Sequence, residues 1–226
     1  MGEAFTLYDE DDEGWAWGQL AGDGYVGWLS ANALGVATTV PTHRVTALRT
    51  FVYPGPSIKA EPLAALSIGA CVAVSRMEGA FAATPAGFIH AGHLAPVAQV
   101  APDFVAVAER FVGVPYLWGG KSSLGIDCSG LVQLALMMAG MAAPRDSDLQ
   151  EAGLGVAVDL TQRRRGDCVF WKGHVGIITD AETLLHANGH HMMVVCEPLE
   201  TAMARIAAAG AGPVTAVRRL PHYTQA

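Results

Sequence analysis

Cys128 follows Asp127 and precedes Ser129-Gly130, where a glycine-rich stretch from Trp118 to Ser123 gives way to a long apolar run. If that run is a helix, the thiol stands at its N-terminus, among unpaired backbone amides that favour thiolate. The same amides could hold an oxyanion formed beside the sulfur. Nucleophilic chemistry also needs an imidazole, and a third polar group to orient it. His174 and His186 supply both. In a hairpin folded about Asp180 they stand six residues to either side, directly opposite on one sheet face, with β-carbons about 4.5–5.5 Å apart.

Other residues of the same types have plainer readings. Cys71, Cys168 and Cys196 fit small core positions. His190 and His191 read as solvated turn residues, and His43, His90 and His93 as structural histidines of a β-rich region. No zinc-like spacing surrounds Cys128, so no metal site is expected, and nothing calls for a cofactor. Asp127 can cap the catalytic helix and can also face a substrate ammonium, which needs an acidic partner in a water-poor cleft.

Those side chains require elements to carry them. From Asp103 the spacing predicts a helix through Phe111, a glycine loop and an apolar helix from Ser129 to Ala139. Strands follow at Cys168 to Trp171, His174 to Ile178, Thr183 to His186 and Met192 to Cys196, giving an α+β domain over 101–222. The preceding residues read as short strands and turns, including Val26 to Leu29, Cys71 to Val74 and Phe88-Ile89. A weak repeat is present: Gly24-Tyr25-Val26 leads to Ala33-Leu34, as Gly87-Phe88-Ile89 leads to His93-Leu94. Two small β-barrels over 1–37 and 42–97 suit this pattern, the first short at its start. Thr38 to Pro41 and Pro96 to Gln99 serve as linkers.

Composition narrows the functions available. The 226 residues are 51% hydrophobic and 15% charged, enough for a packed core and unlike a disordered chain. A net charge of -7, with Arg163-Arg164-Arg165 the one basic run, argues against a nucleic-acid partner. The apolar stretch from Leu131 to Ala143 is 13 residues long, short of the about 20 that span a bilayer. Met1-Gly2-Glu3 runs into acidic residues without a basic and apolar leader, and four scattered cysteines suit a reducing compartment. The expectation is a cytoplasmic protein without a membrane partner.

The ordered stretches Pro115 to Gly120, Asp127 to Val132, Gly173 to Ile177 and Leu185 to Ala187 resemble the NlpC-type cell-wall peptidases, over Asp103 to about Glu197. The first hundred residues resemble paired bacterial SH3-like domains. The resemblance implies a papain-like α+β catalytic domain behind two small SH3-like barrels, of the subgroup that cuts murein peptides between γ-D-glutamate and a diamino acid. It implies Cys128 as nucleophile, His174 as general base, His186 as orienting residue and Tyr116 as an oxyanion donor, with Asp127 and Ser129 beside the substrate. Arg145-Asp146-Ser147 resembles a pocket segment of that subgroup. Arg145 suits a bidentate grip on the free α-carboxylate, with Asp146 orienting it; the same residues also suit a solvated helix start. Glu3 and Tyr25 correspond to residues that hold the free amine of an N-terminal L-alanine. The partner implied is a murein-derived peptide. An amidase or acyltransferase on the same scaffold, or a peptide-binding module without activity, are the competing functions.

Overall fold

The computed structural model describes residues 1–36 and 39–220. Ala37, Thr38 and residues 221–222, which close the expected first domain, open the first linker and end the catalytic domain, lie outside the described residues. The chain divides into two compact units, residues 1–99 and residue 100 onward.

In the N-terminal unit, β1 (Phe5–Glu10), β2 (Trp15–Leu20) and β3 (Val26–Ser30) form an antiparallel meander. Asp11 Oδ1 accepts from the Glu13 and Trp15 amides and sets the turn into β2. Trp17 faces Trp28 across the next pair, with ring centroids 5.5 Å apart. Gly18 is required on β2: a Cβ there would stand 2.2 Å from the Thr6 carbonyl oxygen.

The next eight strands are β4 (His43–Val45), β5 (Arg49–Tyr53), β6 (Ala64–Ser67), β7 (Cys71–Val72), β8 (Arg76–Glu78), β9 (Phe81–Thr84), β10 (Gly87–His90) and β11 (Leu94–Pro96). They form a five-stranded sheet, β6-β5-β10-β9-β8, and a three-stranded one, β11-β4-β7. Val45 and Val72 from the smaller sheet share one core with Val52, Leu66 and Ile89 from the larger. The repeat is present in three dimensions. β3 and β10 each run into a single 3-10 turn, Ala31–Ala33 and Ala91–His93, followed by Leu34 and Leu94. The first copy is an open meander and the second two sheets around one core, and no barrel closes among the described residues.

The second unit is α+β. It contains α1 (Phe104–Glu109), a small hairpin of β12 (Lys121–Ser122) and β13 (Gly125–Ile126), α2 (Cys128–Met138) and α3 (Ser147–Gly153). Then come β14 (Val156–Ala157), β15 (Cys168–Trp171), β16 (His174–Ile178), β17 (Thr183–Asn188), β18 (Met193–Pro198), α4 (Leu199–Ile206) and β19 (Ala216–Arg219). The antiparallel sheet has the order β14-β19-β15-β16-β17-β18. Its last strand in sequence enters between β14 and β15, a long-range pairing that local patterning does not reveal.

Helix α2 is apolar on nearly every side, as a helix buried all round must be, and it packs on β16 and β17. Leu199, Ala202 and Ile206 of α4 pack on a sheet face with Trp171, Ile178 and Leu184. Burying such side chains contributes roughly 1.5–3 kcal/mol each, which makes α2 and α4 fixed platforms. Among the described residues no helix is long and apolar enough to cross a membrane.

Candidate active site

Cys128 is the first residue of α2, one residue earlier than the apolar pattern suggests, and only 8% of it is exposed. Burial pushes its thiol above the usual range and the Asp127 charge adds to this, while amides of Val175, Ser129 and Cys128 itself pull it back. A helix N-terminus alone therefore does not make this a standing thiolate: desolvation wins. The Val175 amide reaching the sulfur brings β16, one residue past His174, to the start of α2.

The two histidines are joined. His174 Nε2 lies 2.7 Å from His186 Nδ1. The hairpin is nevertheless not folded about Asp180. Ile177 pairs with Leu185 and Ile178 with Leu184, so the turn is centred on Ala181. Asp180 Oδ1 accepts from the Glu182 amide, and the Thr179 amide donates to the Thr183 carbonyl, closing a three-residue turn. Continuing that register sets Gly176 opposite His186. The histidines are then diagonal neighbours rather than directly opposed, and a shift by two residues keeps them on the same face.

Beyond His186 lie partners that motif reading missed. His186 Nε2 lies 2.6 Å from Glu197 Oε1 and 3.0 Å from Asn188 Nδ2. Arg205 of α4 donates to the same Glu197 oxygen. Glu197 stands two residues beyond Val195, the partner of His186 across β17 and β18, hence on the same face. Burial, first of all, holds His174 and His186 down to about 3 each, and the Arg205 charge works in the same direction on both. Both imidazoles are neutral at pH 7. The visible signals were the two-residue spacing along β18 and the helical spacing of Leu199, Ala202 and Ile206 that carries Arg205.

Tyr116 lies in the same unit, its amide bonded to the Met192 carbonyl at 2.9 Å. Burial raises its hydroxyl pKa, and the charges of Cys128, Asp127 and Arg145 all act on it. This places Tyr116 in the electrostatic neighbourhood of the thiol.

Asp127 and Arg145 meet each other rather than solvent. Asp127 Oδ1 accepts from the Gly130 amide at 2.7 Å, capping α2, and Oδ2 from the Gly119 amide at 2.8 Å. Arg145 closes on both oxygens, at 3.0 and 2.6 Å, and donates to Ser129 Oγ at 2.9 Å. The Asp127 carboxylate is thus a cap of α2 and a counter-ion of Arg145, and the carboxylate that orients Arg145 is Asp127. Asp146 stands just before α3 and Ser147 begins it, both half-buried. Glu3 precedes β1 and Tyr25 precedes β3, both in the N-terminal unit and exposed. His190 and His191 meet edge to face, and the His191 amide donates to Asn188 Oδ1 at 2.8 Å. Among the described residues no cluster of three or more His, Cys, Asp or Glu could hold a metal ion.

Residues 113–210 match the NlpC/P60 family, and residues 1–34 match the bacterial dipeptidyl-peptidase Sh3 domain. The chain is 31% identical over 182 residues to the γ-D-glutamyl-L-lysine dipeptidyl-peptidase of Bacillus subtilis, covering 73% of this chain and 60% of that protein. It is 34% identical over 109 residues to the protein of the same name from Bacillus cereus, covering 45% of this chain and 32% of that protein. The chain thus spans less than two thirds of these curated relatives. A crystal structure of an NlpC/P60 family protein from Bacillus cereus shares the fold, with a TM-score of 0.80 at 24% identity, covering 97% of this chain and 80% of that one.

Proposed function

We propose that this chain, which carries an NlpC/P60 domain over residues 113–210 and a bacterial SH3 domain at its start, works as a cysteine peptidase on murein peptides. The bond cut is the one between γ-D-glutamate and an L-diamino acid, in peptides whose N-terminal L-alanine is free. The observation that carries the reading is the His174–His186 hydrogen bond beside a cysteine that opens a buried helix. The names of the two Bacillus relatives support the bond chosen. The first hundred residues are read as two SH3-like units, the first reduced to three strands.

The residues divide the work as follows. Cys128 Sγ attacks the γ-carbonyl carbon while His174 takes the thiol proton, so charge develops only when substrate is present. The amides at the start of α2 and the Tyr116 hydroxyl donate to the resulting oxyanion. His174 returns the proton to the leaving amine, and water then cleaves the thioester by the same base. Asp127, Arg145 and Ser129 hold the start of α2 against the glycine loop. Substrate selection falls to Asp146 and Ser147 of the same unit.

The test is hydrolysis of L-Ala-γ-D-Glu-L-Lys and of its diaminopimelate analogue, followed by mass spectrometry. Release of L-Ala-γ-D-Glu, abolished by Cys128→Ala and slowed at least about a hundredfold by N-acetylation, is expected. Equal rates for acetylated and free peptides would remove the amine requirement. No release from either peptide would remove the substrate.

A further inference from the structure

A proton-transfer base works only in the right tautomer, and His174 cannot choose its own. Its Nε2 is committed to His186 Nδ1 at 2.7 Å, so which nitrogen carries hydrogen depends on His186. His186 in turn faces Glu197 Oε1 at 2.6 Å through Nε2. A carboxylate only accepts. Nε2 of His186 must therefore carry the hydrogen, which leaves Nδ1 as a lone pair. That lone pair accepts from His174 Nε2–H, and His174 Nδ1 is left unprotonated, as a base for Cys128 requires. Asn188 Nδ2, also a donor, lies 3.0 Å from the same His186 nitrogen and would favour the opposite tautomer. It cannot be turned over cheaply, because Asn188 Oδ1 already accepts from the His191 amide at 2.8 Å. Arg205 donates to the same Glu197 oxygen, which holds that oxygen facing His186 Nε2.

We propose that Glu197 and Arg205 are positioning residues that fix the tautomer of His186, and through it leave Nδ1 of His174 as the base for Cys128. The inference rests on the peptidase reading for its purpose, but the tautomer itself does not. Glu197 comes from the end of β18 and Arg205 from α4, so the buried face of the sheet and its covering helix, rather than the cysteine loop, set the state of the base.

The experiment uses full-length protein labelled with 15N-histidine, with nitrogen shifts of His174 and His186 read at pH 7. The rate of Cys128 alkylation by iodoacetamide is read beside them; there the S–C bond forms, iodide leaves and the thiol proton passes to His174. Wild type should show both histidines protonated at Nε2 alone. Glu197→Gln keeps the shape but offers an amide that can donate or accept. It should give a mixed or Nδ1-protonated His186 and slow Cys128 alkylation at least about tenfold, in protein that circular dichroism shows to be folded. Arg205→Gln, which leaves the carboxylate in place without its counter-ion, should give a smaller change of the same kind. An unchanged His186 tautomer in Glu197→Gln overturns the proposal, whatever the alkylation rate. If instead the tautomer shifts as expected while wild type cleaves no murein peptide, the substrate reading fails and the positioning pair stands.

Discussion

Arg145 grips Asp127 with both terminal nitrogens, at 2.6 and 3.0 Å, and this buried pair ties the residue before Cys128 to the segment leading into α3. Both side chains are about a tenth exposed, at 10% and 11%. Removing one partner of such a pair strands a charge in a dry setting and costs about 3–5 kcal/mol. Arg145→Ala should therefore lower stability by that order, measured as the shift in urea midpoint. A residue that merely recognised a substrate carboxylate would instead raise KM and leave the midpoint alone.

Gly176 carries a second constraint. A Cβ there would stand 2.6 Å from Leu184 Cδ1 and 3.2 Å from His186 Cβ. Gly176→Ala should push His186 away from His174, lowering kcat by about tenfold or more and stability by about 1–3 kcal/mol. Gly189→Ala, where nothing lies within 4 Å, should change neither. Wild-type turnover in Gly176→Ala would mean that His186 does not need its observed position.

The buried histidines also make stability depend on pH in one direction. Each is held down to about 3 in the folded chain against an ordinary 6.5. Between those values the unfolded chain binds protons that the folded one refuses. Stability is therefore complete above pH 6.5 and falls as the pH drops towards 3. The slope is at most about 1.4 kcal/mol per pH unit for each histidine. Urea titrations from pH 7 to pH 4 should show the decline, and a flat profile would contradict two neutral buried imidazoles.

The same neutrality shapes the rate profile. A base already deprotonated well below pH 6.5 gives kcat/KM no acid limb in the ordinary histidine range. Between pH 5 and 7 the rate should stay nearly level until the fold itself weakens. A limb at pH 6 to 7 would indicate that the free enzyme protonates His174 there.

How much of this was legible in the sequence varies with how local the cause is. β15 and β16 follow directly from apolar runs bounded by Gly166 and Gly173, and their ends agree with the expected spans. Asp127 as a cap was readable from its place before the helix. The hairpin register was not, because a turn about Asp180 and one about Ala181 have similar local sequences, and the side-chain bonds of Asp180 decide between them. The Arg145 motif points to the start of α2, but the pairing of Arg145 with Asp127 is visible only in the folded chain, where both side chains are buried together. Glu197 and Arg205 carry no motif, and their strand and helix spacing points to His186 only once β18 pairs with β17 and α4 packs on the sheet.

The most direct test is to look for the bond that the account requires. Mixing the protein with L-Ala-γ-D-Glu-L-Lys, quenching in acid on the millisecond scale and mapping the digest should find the L-Ala-γ-D-Glu acyl group on the peptide that contains Cys128. His174→Ala should show none of it. Turnover that proceeds without any acyl adduct and survives Cys128→Ala would contradict a covalent mechanism at this cysteine.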